Sequence, residues 1–318
     1  MSRSGRAARE PVALPSRTRT LMAALRGQLG SADPLPPPPP PVPVRAPPAR
    51  VFPSPHRQSA YAERAAEHTT ALLGIGHVGT RYATDVVLQF QAELAVAHAA
   101  VAAVLPDDWA VKQGYLPLSS RVTSHHEFLL RPDLGRRLDI ASLERLRRDA
   151  KRGADVQPIL ADGLSAVATQ GAGPELLRAF TAECEKRGWK VGTPLCAKFA
   201  RVWLEDEIGQ EVGARVAVIL LGERPGLGTG DGLSAYLVYE PRLGKTDGDR
   251  NMMSNIHERG TKPAEAAVRL AVLVGAMLEQ KRSGVSLDLA PLAAQLGEAA
   301  GTGYRAPQKR VRLVEVNR

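Results

Sequence analysis

The sequence has only two cysteines, Cys184 and Cys196, in 318 residues. So few exclude a disulfide framework and a four-cysteine zinc site, and they suit a chain kept in a reducing compartment. Aromatic residues are scarce at 4%, so aliphatic side chains must fill the core and little is available to stack on bases. No uninterrupted apolar run approaches the roughly 20 residues of a membrane span, and the first residues lack the apolar core of a signal peptide. A soluble, cytoplasmic protein with no membrane partner is expected.

Acidic charge is also in short supply, with 33 Asp and Glu against 42 Lys and Arg and a formal charge of +9. Such an excess invites a nucleic-acid partner. The positive residues, however, gather at both tails and in Arg136, Arg137, Arg145, Arg147, Arg148, Lys151 and Arg152, which suits the exposed side of a helix and the turn after it. No nucleic-acid partner is expected.

What is present changes along the chain. Residues 1–60 form a tail with a short amphipathic segment, Leu21, Met22, Leu25 and Leu29, followed by a proline-rich spacer through Pro36–Pro41 to Pro55. Such a spacer favours an extended left-handed helix, and the tail reads either as a disordered extension or as a docking helix on a tether. Residues 61–152 carry helical spacing in Val86, Val87, Phe90, Leu94, Val101 and Val104 before Pro106. They predict a small helical domain whose core Trp109 and Leu116–Leu118 close.

Residues 153–290 alternate short aliphatic runs with helical segments, the texture of an α/β domain. Strands are expected at Val156–Ala161, Pro194–Val202, Val216–Leu221 and Ala235–Tyr239, and helices at Pro174–Arg187, Glu205–Val212 and Pro263–Lys281. Thr261 is placed to cap the last helix. Val216–Leu221 is aliphatic throughout, with Ala217 its only small member, as in a central parallel strand covered on both faces. Pro158 requires a place where its missing N–H leaves no ladder bond unmade. The fold class is therefore α/β, a Rossmann-like, mostly parallel sheet preceded by a small helical domain and a disordered proline-rich tail, with residues 291–318 as a C-terminal extension.

The turns after these strands, Asp162–Ser165, Glu205–Asp206 and Gly222–Gly226, would converge at the edge of a parallel sheet where ligands bind. Asp162, Glu223 and Arg224 then face a shared crevice; alternatively the two acids cap helices or pair with arginines. Gly226–Gly230 and Gly244-Lys245-Thr246 lack the spacing of phosphate-binding loops and read as surface loops. Ser165 stands after Gly163 as a nucleophile would, but Val167 replaces the second glycine of a nucleophile elbow. His125 and His126 are adjacent and cannot share a metal from one helical face. No catalytic residue and no metal ligand is assigned to this chain.

A longer set of motifs recurs in one order from about Leu72 to Ser286: Arg131–Leu138, Asp155-Val156-Gln157, Asp162–Ser165, Glu205–Gly209, Gly222–Leu227, Tyr236–Tyr239 and Ser254–His257. This set closely resembles the small subunit of adenosylcobalamin-dependent ethanolamine ammonia-lyase. The resemblance implies a hetero-oligomer whose large subunit binds ethanolamine and deaminates it by radical chemistry to acetaldehyde and ammonia, while the small subunit covers the cofactor from the other side. It also implies cofactor contacts at Val202, Glu223 and Met252. Met252 stands where the family commonly has cysteine, and Leu94 and Ala99 replace a usual histidine and aspartate.

Asn255–Gly260 is similar to the motif with which some cobalamin proteins donate a histidine to cobalt. Asparagine here replaces the aspartate that would fix the imidazole tautomer, so His257 is expected to order its turn instead. The alternative function is a diverged, non-catalytic cargo adaptor of a bacterial microcompartment, docked on the shell through Leu21–Leu29. The location implied is the cytoplasm or such a compartment.

Overall fold

The computed structural model describes residues 77–227 and 230–292. The tail with its Leu21–Leu29 segment and proline run, and all but the first two residues of the C-terminal extension, lie outside the described residues. A short antiparallel pair, β1 (His77–Val78) and β2 (Arg81–Tyr82), precedes helix α1 (Thr84–Ala102). Helix α1 buries only Val86, Ala97 and Ala100, and Leu94 remains exposed.

A six-stranded sheet follows, ordered β3-β5-β4-β6-β7-β8. Its strands are β3 (Leu116–Ser119), β4 (Val156–Ala161), β5 (Leu195–Lys198), β6 (Val216–Gly222), β7 (Leu233–Tyr239) and β8 (Arg250–Ile256). The pairings from β3 to β6 are parallel, whereas β7 and β8 continue as an antiparallel meander. The sheet is thus mixed, and the mostly parallel expectation holds for its first four strands alone. The reason lies in the connections: a parallel neighbour needs a crossover, while β6, β7 and β8 are joined by short loops that can only reverse the chain.

One further expectation is corrected, and one strand lies where none was assigned. The region before residue 153 is not wholly helical, because Leu116–Ser119 forms the edge strand β3 beside β5; Pro117 is tolerated there because an edge strand has a free side. Residues 250–256, with their polar and methionine content, form β8. Pro158 lies where β4 and β5 part: their register begins at Ile159↔Leu195, and the isolated bridge Val156↔Val191 lies on its other side. The Gln157 amide fills the gap, donating to Pro158 O at 2.9 Å and Thr193 O at 2.7 Å.

Two helical layers cover the sheet. On one face α5 (Ala166–Gly171), α6 (Gly173–Lys186) and α8 (Pro263–Gln280) bring Leu176, Phe180, Leu270 and Met277 against Leu160, Val218, Ala235 and Leu237. On the other, α4 (Ile140–Asp149) and α7 (Leu204–Val212) bring Leu146, Leu204 and Ile208 against Ile159, Leu195, Ile219 and Leu221. Short helices α2 (Trp109–Lys112) and α3 (His125–Leu130) flank β3. Trp109 packs edge-on to Tyr115 with centroids 6.1 Å apart, a core contact as expected. Helix α8 starts at Pro263 after Lys262, with no side-chain cap from Thr261; the Thr261 backbone instead pairs with Asn255 and His257.

Candidate functional site

The second face is unevenly covered. Helix α7 lies over β6, and all seven residues of β6 are buried. Beyond it, Tyr236 on β7 is half-buried, while Met252 on β8 is 53% exposed and Ser254 is exposed. No helix among the described residues covers this end of the face, apart from α7's contact with Arg250. Tyr236 and Met252 are register partners, so their side chains stand side by side on the bare surface.

The upper rim of this surface is set by two glycines. Gly163 has φ +52°, a conformation that favours glycine. A side chain on it would strike Gly222 O, and one on Gly222 would strike Asp162 O and Ser165 O. The two turns are therefore in backbone contact, with Leu164 N donating to Gly222 O at 2.8 Å. This contact fixes where Glu223 leaves β6, and Glu223 N donates to Gly232 O at 3.0 Å across the loop.

A cavity of about 300 Å³ opens here, lined among others by Glu223, Arg224, Ser234, Tyr236, Met252 and His257. Tyr236 Oη donates to Glu223 Oε1 at 2.9 Å. Burial, and then the neighbouring Glu223 charge, hold the Tyr236 phenol well above its ordinary value, so it remains a protonated donor. Ser234 Oγ is buried in the wall without a protein partner among the described residues. The lining thus offers a carboxylate acceptor, a guanidinium donor, hydroxyls and an apolar methionine.

Of the three contacts implied by resemblance, Glu223 and Met252 line this one cavity. Val202 does not line it; it sits between β5 and α7, half-buried against the apolar cluster on which Tyr236 also packs. Asp162 does not face the crevice. Its carboxylate is buried, accepting from Phe199 N at 2.8 Å and Ala200 N at 3.1 Å, and burial raises it to about 6. It clamps the turn after β5, where Phe199 takes φ +55°.

Glu205 and Asp206 are likewise inside the molecule, in the first turn of α7. Arg250 Nη1 reaches Glu205 Oε1 at 2.6 Å and Nη2 reaches Asp206 Oδ2 at 3.0 Å. Burial raises the Glu205 carboxyl to about 8 despite that cation. The cluster ties the start of β8 to α7 and so holds the strand that carries Met252.

Ser165 caps α5 by accepting from Ala168 N at 3.1 Å, and donates to Gly230 O at 3.0 Å. Both cysteine thiols are buried and pushed up to about 12. His257 is buried, its pKa lowered first of all by that burial. Its Nδ1 accepts from Arg259 N at 3.2 Å, which leaves Nε2 to donate to Asn255 Oδ1 at 2.6 Å. Both ring nitrogens serve the turn, as sequence reasoning expected of this histidine. Among the described residues no group of three or more His, Cys, Asp or Glu is arranged around a metal position, and no helix is long and apolar enough to cross a membrane.

Tyr236, Ser234 and Arg250 escaped the sequence reading as site residues. A signal existed in Leu233–Tyr239, where Ser234 and Tyr236 stand two apart on one face of an otherwise aliphatic strand. For Arg250 the sequence held no comparable signal, because its partners are 44 and 45 residues away.

The fold is an α/β protein with a mixed sheet, and among the described residues the bare end of one sheet face carries a cavity lined by acidic, basic, hydroxyl and apolar side chains. The family model of ethanolamine ammonia-lyase light chain (EutC) matches residues 59–288. The chain belongs to that family, one subunit of a lyase.

Proposed function

We propose that this chain is the cofactor-covering small subunit of an adenosylcobalamin-dependent ethanolamine ammonia-lyase, acting with a large subunit that holds ethanolamine. The observation that carries the reading is the meeting of Glu223 and Met252 in one cavity on the uncovered face of β7 and β8. A corrin is wide, largely apolar and fringed with neutral amides, and this lining suits such a group. Glu223 accepts from amide N–H, Met252 gives apolar contact, and the Ser234 hydroxyl, without a protein partner among the described residues, offers one further polar group. When bound, adenosylcobalamin supplies the radical chemistry that converts ethanolamine to acetaldehyde and ammonia. The chain's own part is to orient one side of the ring and keep water from it. Met252 in place of cysteine retains this contact as packing, without a thiol.

The test is reconstitution with the cognate large subunit, measuring cobalamin retention and ethanolamine turnover. Glu223→Ala is expected to weaken retention roughly 10- to 100-fold, the scale of a hydrogen bond to a charged group. Undiminished affinity in that variant would overturn the site assignment.

A further inference from the structure

The Glu223 side chain has several rotatable bonds and sits at the rim of an open cavity. Such a group is a poor acceptor for a weakly polar donor unless something else fixes it, since each rotamer lost on binding is charged against affinity. Among the described residues its carboxylate has one side-chain hydrogen bond, from Tyr236 Oη to Oε1 at 2.9 Å. The second oxygen, Oε2, has no such partner among them. Tyr236 is itself held rigidly: its backbone is in the middle of β7, paired to Ile219 on one side and Met252 on the other. Its ring packs on the apolar cluster that Val202 also joins.

We infer that Tyr236 is a positioning residue for ligand binding, holding Glu223 by one oxygen so that the other is presented to a neutral amide N–H. The inference rests on the proposed cobalamin-binding role and adds to it a residue that the motifs alone would leave in the core. Phenylalanine would serve the packing equally well, so the hydroxyl is the informative atom. The phenol keeps its proton because burial and the adjacent carboxylate both resist ionisation, so the hydrogen bond runs in one direction.

The experiment is a double-mutant cycle on the complex with the large subunit, comparing wild type, Tyr236→Phe, Glu223→Ala and the double variant. Dissociation constants are read by spectroscopic titration with adenosylcobalamin and with cyanocobalamin, which requires no turnover. Tyr236→Phe is expected to weaken binding about tenfold with thermal unfolding unchanged, and to have no effect once Glu223 is alanine. Additive losses would mean that Tyr236 contacts the ligand independently and would overturn the positioning role. Unchanged affinity in Tyr236→Phe, with Glu223→Ala still weakened, would overturn the inference and leave the proposed function standing. If Glu223→Ala binds as wild type does, the site assignment and this inference fall together; if wild type binds neither cobalamin, the proposed function itself fails.

Discussion

The parallel and antiparallel ends of one sheet are finished differently on the same face. Over β6, α7 buries Ile219 and Leu221 completely or nearly so; two strands further on, Met252 and Ser254 lie open. The difference follows from connectivity. Parallel strands are joined by crossovers whose helices pack back on the sheet, whereas a meander carries its chain back through loops and adds no cover. A sheet that changes from parallel to antiparallel therefore creates its own bare surface, and the cavity lies on that surface.

The largest expected effect probes the joint between the two ends. Arg250→Ala leaves Glu205 and Asp206 buried without their cation, and a loss of about 3–5 kcal/mol is expected in denaturant unfolding. A loss below about 1 kcal/mol would mean that water reaches the cluster and that β8 is not anchored there. Next comes the covered face: Ile219→Ala should cost about 3 kcal/mol, since the side chain is fully buried.

A smaller effect distinguishes the buried acid from its surroundings. Glu205 holds its proton more tightly in the folded chain, at about 8, than at its ordinary value of 4.5. Its stabilising contribution is therefore complete below the ordinary value and is lost as pH rises through about 8. Between pH 7 and pH 9 the wild type should lose stability on the order of 1 kcal/mol, visible as a lower denaturation midpoint, and Glu205→Gln should flatten that slope. The smallest change is expected at the bare end, where Met252→Ala should alter stability by less than about 1 kcal/mol while weakening cobalamin retention. Equal destabilisation by Ile219→Ala and Met252→Ala would erase the contrast between the two ends.

The same contrast governs how much of the molecule was legible in its sequence. Val216–Leu221 announced itself because covering both faces of a strand demands an unbroken aliphatic run. Strand β8 did not, since Arg250, Met252 and Ser254 answer to an ion pair, a cavity and solvent, and no simple alternation survives. Leu116–Ser119 was hidden by Pro117 and by its distance from β5, its partner some 80 residues on; long-range pairing leaves little local trace. Glu223 and Met252 entered through motif resemblance, and their proximity became apparent only with the β6–β7–β8 meander. Asp162 shows the converse: its place after a strand suggested a ligand group, yet two backbone N–H groups of the neighbouring turn consume its carboxylate.

The paired glycines at the rim give the site an unusual kind of tolerance. Gly163 and Gly222 meet through main-chain atoms, so the point from which Glu223 projects does not depend on how the surrounding side chains repack. Conservative exchanges among the nearby aliphatic residues can drift without displacing the acceptor, while any side chain added at either glycine would push the two turns apart and move Glu223 directly. Evolution and protein engineering therefore have wide latitude around this spot and almost none at it.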